Sequence, residues 1–332
     1  MAEAQWQAPG PPVDAAKARG KTVWYLSMAQ AIPIITTISI AIKEGLQEAG
    51  VKVVICDGNF DPTQYTRCAA QAIAQNADVI MNESMPPELL SDAMARAEKA
   101  GIPWIDGNNG NPDDPLPTGA DARVAFNYTE GGSLAADWII ADSNGKANVV
   151  LIFSADILPS AIVRDGALDE FTKLCPACKV EVRDIVSAQW ATGLGPLTRS
   201  LLTADPSITH ILPMFDGMTT FIVPAVHEAG AADRVKVATF NGSLDPMKTM
   251  AKGDVIGADV GSDAVWMGWG YADQALRLLT GLPGAPTENI PNRVFTQESV
   301  SDLSLTLDAY RSGEWYGRSL FKEEYLKLWG LK

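Results

Sequence analysis

Few residue types in this sequence could carry chemistry. There are two histidines, His210 and His227, and four cysteines, Cys56, Cys68, Cys175 and Cys178. That leaves little material for a Ser-His-Asp triad or a histidine-built metal site. His227-Glu228 has no second histidine one turn on, so no zinc helix follows from it. Arg19-Gly20-Lys21-Thr22 resembles the end of a phosphate-binding loop, but Ala15 stands where the earlier glycine belongs, and the segment precedes a strand. Gly193-Leu194-Gly195 lacks the third glycine of a dinucleotide fingerprint. Asp216 or Asp263 could act as a general base, yet no nucleophile, metal set or cofactor motif accompanies them. The expectation is a chain with no catalytic residues, no metal and no cofactor.

The cysteines admit several readings. Cys175-Pro176-Ala177-Cys178 closes a helical pattern before an apolar run at 180–184. A redox pair normally opens a helix, where the positive end lowers a thiol pKa. A zinc site would have to recruit Cys56 and Cys68 from the other half of the chain. Two local disulfides, 56–68 and 175–178, would account for all four residues and imply an oxidising compartment. Four free thiols are the alternative, and they would remove that implication.

These residues have to be positioned by something, and the chain's patterning says what. Its 332 residues suggest roughly two domains of about 150 each. With 47% hydrophobic and 20% charged residues the composition is that of a folded chain, which excludes disorder. A formal charge of −14 repels phosphate backbones, so no nucleic-acid partner is expected. Short β-branched runs recur at 23–27, 51–56, 79–82, 103–106, 124–127, 149–154, 180–184, 208–214, 235–240 and 255–260. Helical patterns fill the spaces at 63–76, 87–100, 130–141, 160–174, 194–204 and 218–229. Continuous apolar strands separated by helices indicate βαβ units and buried parallel sheets. About ten strands in one sheet would be unusual, so two sheets of five or six are expected. The fold class is α/β, with two doubly wound parallel-sheet lobes.

The uncharged stretch from Thr22 to Ile42 is long enough to cross a bilayer, but Ser27, Gln30, Pro33 and Thr36 argue for a buried strand, a loop and a helix instead. Residues 1–20 show no charged start followed by an apolar core. Residues 2–12 read as the flexible start of a mature exported chain. The aromatic tail, 303–332, is expected to pack as short helices on one lobe.

Open parallel sheets bind ligands outside the carboxyl ends of their strands. Residues following the strands are Ser27, Gln30, Ile34 and Ile35; Asn108 and Asn109; Asn127; Ser160 to Arg164; Gln189 and Trp190; Phe215 and Asp216; Asn241; and Asp259 to Asp263, including Ser262. Amides and carboxylates can both give and receive hydrogen bonds around neutral hydroxyls, and aromatic faces cover C–H surface. Plainer roles stand beside these: a turn for Asn108-Asn109 and for Asn241-Gly242, core packing for Trp190, and a solvated pair for Arg164-Asp165.

With these residues placed, the chain resembles the periplasmic sugar-binding proteins of ABC transporters, the type I fold shared with ribose-binding proteins and the ligand cores of LacI-type repressors. The markers are Ile32-Pro33-Ile34-Ile35 after the first strand, Ala100-Gly101-Ile102-Pro103 before the fourth, the turn from Asn127 to Gly132, and Phe240-Asn241-Gly242. The resemblance runs over roughly residues 21–300. It implies Rossmann-like lobes joined by a hinge, 21–127 plus 263–292 and 128–262 plus 293–332, closing over a ligand in the cleft between them.

It also implies binding through Ser27, Gln30, Ile35, Asn108, Asn109, Arg164, Trp190, Phe215, Asp216, Asn241, Ser262 and Asp263. The departures bear on the ligand. Isoleucines replace both loop phenylalanines, Asn108-Asn109 replaces an Asp-Arg pair, and Arg164 lies slightly out of register. An acyclic polyol needs two flat platforms less than a pyranose does, so a small sugar or sugar alcohol is expected, with the polyol favoured. The implied partner is a membrane permease, and the chain is expected to be a monomer. The implied place is the periplasm or cell exterior, with lipid anchoring of a precursor left open. A signal-molecule or chemoreceptor-linked binding protein is the alternative. A LacI-type regulator is less favoured, because residues 1–20 are too short and proline-rich for a DNA-binding helix pair.

Overall fold

A computed structural model describes residues 6–317 and 320–332 and divides the chain into two units. The first holds the described residues of Met1–Phe126, Asp263–Pro291 and Arg311–Lys332; the second is Asn127–Ser262 with Asn292–Tyr310.

The first unit is built on five parallel strands, β1 (Thr22–Ser27), β2 (Lys52–Asp57), β3 (Val79–Glu83), β4 (Trp104–Gly107) and β5 (Ala122–Val124), in the order β2-β1-β3-β4-β5. Alternation along β1 feeds both faces of the sheet. Trp24 and Leu26 enter a core with Tyr65, Ala69, Leu90 and Met94 of helices α2 (Pro62–Ala74) and α3 (Pro87–Lys99). Tyr25 instead meets Tyr271 edge-on, with ring centroids 5.9 Å apart. Helix α1 (Pro33–Glu48) opens on Pro33, whose missing N–H costs nothing in the first turn, and buries Ile38, Ile42 and Leu46. The stretch from Thr22 to Ile42 is thus strand, loop and helix, and no helix among the described residues is long and apolar enough to cross a membrane.

Helix α9 (Ala264–Leu279) packs against α1 and is buried from Ala264 to Arg277. Its buried residues include Asp273, Gln274 and Arg277, and Arg277 pairs with Asp273, so burial here is wider than an apolar stripe would indicate.

The second unit carries six strands, β6 (Asn148–Phe153), β7 (Lys179–Asp184), β8 (His210–Pro213), β9 (Lys236–Asn241), β10 (Ile256–Ser262) and β11 (Asn292–Thr296). Their order is β11-β10-β9-β8-β6-β7, with β11 antiparallel to β10 and the others parallel. Helix α4 (Tyr128–Asp142) packs on α5 (Leu158–Leu174), and α6 (Trp190–Ala204) on α7 (Thr219–Glu228). A Cβ on Gly132 would fall 2.0 Å from the Val163 carbonyl oxygen, so the α4–α5 approach demands glycine there.

Three expectations change. Strand β11 was not among the apolar runs, because Asn292-Arg293 opens it with polar residues. Residues 311–332 belong to the first unit, not the C-terminal lobe: Trp329 stacks on Trp269 at 5.3 Å, and Phe321 of α12 (Phe321–Leu328) stacks on Trp266 at 4.9 Å. Aromatic area is best covered by the aromatic side of α9, and the tail follows it. The start of the chain is not loose throughout. Residues 2–5 lie outside the described residues, but Trp6 packs on Tyr325, Val13 N–H donates to the Leu328 carbonyl, and the Pro11 carbonyl accepts from Arg277.

Cys56 pairs with Cys68, and Cys175 with Cys178. The first disulfide joins the outermost strand β2 to α2, and the second lies just before the outermost strand β7.

Candidate functional site

Each unit gathers polar residues at the carboxyl ends of its parallel strands. In the first unit Ser27 ends β1 and lies in register with Glu83 at the end of β3. Ser27 is fully buried, and its hydroxyl has no hydrogen-bond partner among the described residues. Gln30 accepts from Ser39 Oγ at 3.0 Å, while its Nε2 has no partner. Ile34 and Ile35 lie buried in the first turn of α1.

Asn108 follows β4 in the left-handed region, φ 55°, the conformation asparagine tolerates best after glycine. Its Nδ2 lies 2.5 Å from Glu83 Oε1 and 3.1 Å from Met267 Sδ, while its buried Oδ1 has no partner. Asn109 turns inward, with Nδ2 donating to Asp106 Oδ1 at 2.8 Å and to the Gly107 carbonyl at 3.0 Å. Asp106 is in turn held by the Arg123 guanidinium, 3.1 Å away on β5. Behind Asn108, Glu83 accepts from the Tyr271 hydroxyl, and burial pushes the Glu83 carboxyl up to about 7. A Cβ at Gly107 would lie 1.4 Å from that hydroxyl, so glycine is what lets Tyr271 reach through. Asp263 caps α9, with Oδ1 accepting from the N–H groups of Val265 and Trp266 and Oδ2 lying beside Gly313. Its burial raises that carboxyl to about 7.

In the second unit Trp190 opens α6 and its Nε1 donates to Ser154 Oγ at 2.8 Å. Its ring lies 6.3 Å from that of Phe215, tilted by 46°, and both rings are only partly buried. These two form an aromatic wall after β7 and β8. Asp216 is buried, with Oδ2 accepting the Ser243 N–H at 2.6 Å, and Asp259 Oδ1 accepts the Gly242 N–H at 3.0 Å. Asp259 Oδ2 has no hydrogen-bond partner among the described residues, and the Asp216 carboxyl lies near enough to act on it. Burial raises Asp216 to about 6, and burial together with Asp216 drives Asp259 well above the carboxylate range. Asn241, at φ 133°, hydrogen-bonds Asp216 through its side chain.

Other sequence candidates make bonds within their own unit. Arg164 pairs with Asp165 at 2.7 Å and covers the Phe153 ring at 4.3 Å. Ser160 Oγ accepts from the Ser154 N–H, and Asn127 caps α4. Ser262 Oγ meets Asn292, which also reaches the Asn127 carbonyl and Glu130. Both histidines pair with aspartates, His210 with Asp142 and His227 with Asp254. Among the described residues no group of three His, Cys, Asp or Glu could hold a metal ion.

Glu83, Asp106, Arg123 and Tyr271 were missed. The strand-end rule extended to the third strand reaches Glu83; the others meet only through the fold. Taken together, the groups available at the strand ends are amides, hydroxyls, buried carboxyls with raised pKa values and two aromatic rings. They can bind hydroxyls and cover C–H faces.

The sequence matches the family described as periplasmic binding protein domain over residues 25–283. It is 25% identical over 257 residues to a putative rhizopine-binding protein of Rhizobium meliloti, covering 76% of this chain and 82% of that protein. The ribose import binding protein of Bacillus subtilis is 23% identical over 267 residues, covering 80% and 84%. Among solved structures, an ABC transporter solute-binding protein from Agrobacterium vitis with bound allitol superposes with a TM-score of 0.76 at 19% identity, covering 85% of this chain and 97% of that one.

Proposed function

Because the chain belongs to the periplasmic binding protein domain family, we propose that it binds a small neutral sugar or sugar alcohol as the solute-binding component of an ABC importer. The observation that carries this reading is the pairing, at the strand ends of the second unit, of the Trp190–Phe215 wall with the amide of Asn241 held by Asp216. An aromatic face against C–H groups beside a fixed amide is what a polyhydroxylated ligand requires. The relatives agree: one imports ribose, and one structure holds allitol. Ile34 and Ile35 supply no second flat platform, which favours an acyclic polyol over a pyranose.

The protein holds its solute without transforming it and delivers it to a membrane permease. The proposal includes a periplasmic setting, consistent with four paired cysteines, and hinge closure about the segments joining the units. Ligand binding stabilises the folded state by mass action, about 2.7 kcal/mol at a hundredfold excess over Kd. Melting temperatures measured with C4–C6 polyols, pentoses, hexoses and amino acids should therefore rise for polyols or pentoses. A rise with amino acids alone, or turnover of the bound compound, would refute the reading.

A further inference from the structure

Glu83 lies behind Asn108 and is fully buried. The Tyr271 hydroxyl from α9 donates to its Oε2, and Ser84 Oγ lies 3.3 Å from Oε1. Tyr25 of β1 and Asp106 of β4 are the titratable groups that face it besides Tyr271, and Asp106 is already matched by Arg123 of β5. Among the described residues no cation pairs with Glu83. The Asn108 side chain is buried and its amide is held by Glu83 and Met267, so the change that displaces it least is the two-fold turn of the amide.

An ionised carboxylate only accepts hydrogen bonds, whereas a neutral one also donates. With Glu83 ionised, Asn108 must turn its NH2 inward, as observed, and offer Oδ1. With a proton on Oε1, Glu83 can donate to Oδ1, the amide turns over, and the NH2 is offered instead. We propose that Glu83 is a positioning residue whose protonation sets whether Asn108 offers the solute an acceptor or a donor. This rests on the reading that Asn108 faces the solute. Burial raises the Glu83 carboxyl to about 7, which centres the change in the neutral range. Above that pH the chain selects for a donor on the solute, such as a hydroxyl or amine; below it, for an acceptor such as a carbonyl. A hydroxyl can turn to suit either state.

Side-chain NMR of the full chain without solute tests this first. The Asn108 amide protons should move between pH 5.5 and 8.5 with the same midpoint as the Glu83 carboxyl carbon. Glu83→Gln should remove the step. Tyr271→Phe takes away a hydrogen bond to the charged form and should raise the midpoint by about one pH unit. A purely structural Glu83 would leave the Asn108 signals flat with pH, and that result, or a step that persists in Glu83→Gln, overturns the proposal. The second arm repeats the titration with allitol at a concentration that raises the melting temperature. Bound allitol should shift the Glu83 midpoint, and an unshifted midpoint overturns the link to the solute. Allitol, pentoses and hexoses all failing to raise the melting temperature would count against the sugar reading instead, and the switch is then judged on the first arm.

Discussion

The two units share one strand order, β2-β1-β3-β4-β5 in the first and β7-β6-β8-β9-β10 in the second, to which the second adds antiparallel β11. Each has a disulfide at its outermost parallel strand, and each presents an asparagine, Asn108 or Asn241, bonded to a buried carboxyl. They differ in what else stands at the strand ends. The first unit has charge and hydroxyls there, Glu83, Asp106, Arg123 and Tyr271, with aliphatic Ile34 and Ile35 in the first turn of α1. The second has the aromatic rings of Trp190 and Phe215 and the buried carboxyls of Asp216 and Asp259. One scaffold has thus been fitted with a polar half and a half that can cover C–H surface.

The polar half can be broken most severely. Arg123→Leu strands buried Asp106 without its cation and should cost about 3–5 kcal/mol in urea unfolding. The Arg123→Leu, Asp106→Leu double variant should recover most of that loss; equal instability would mean the pair contributes only by packing. The disulfides differ in span. Cys56 and Cys68 are 12 residues apart and Cys175 and Cys178 only 3, so chain entropy predicts a loss of about 3 kcal/mol on replacing the first pair with serine and about 1.5 for the second. A reversed order of unfolding midpoints would point to strain rather than chain entropy.

In the aromatic half, Trp190→Ala should weaken sugar or polyol binding about thirtyfold, near 2 kcal/mol, with little change in melting temperature because the ring is only partly buried. Unchanged affinity would remove Trp190 from the site. A further effect is that of pH. Glu83, Asp216 and Asp263 have folded values raised to about 7, 6 and 7, so the folded state binds more protons than the unfolded chain across the interval above about pH 4. Their contribution is fully present below that interval and is lost as pH rises through 6–7. Urea midpoints should therefore be lower at pH 8 than at pH 5.5; a higher midpoint at pH 8 would mean these carboxyls are ionised at little cost.

Much of this fold is legible in the sequence, because buried parallel strands keep continuous apolar runs and the intervening helices keep a stripe. Legibility fails where a pattern is saturated or absent. Helix α9 buries its polar residues with its apolar ones, β11 begins with polar residues, and the tail's partner could not be read from its own composition. The site follows the same logic. Asn108, Trp190, Phe215, Asp216 and Asn241 fall at strand ends by counting along the chain. Glu83, Asp106, Arg123 and Tyr271 are spread from 83 to 271 and converge only through sheet register and the packing of α9. Arg164, Ser262 and Asp263 also make an ion pair, a strand tie and a helix cap, bonds that are invisible in residue type alone.

The central claim is that the chain binds a neutral, hydroxyl-rich solute. Calorimetric titration of protein freed of bound solute by unfolding and refolding tests it most directly, with allitol, other C4–C6 polyols, ribose and hexoses as titrants. Saturable one-to-one binding to a polyol, tighter than to any hexose, is predicted. Tight binding to hexoses alone would contradict the polyol preference, and no binding to any of these compounds would contradict the account itself.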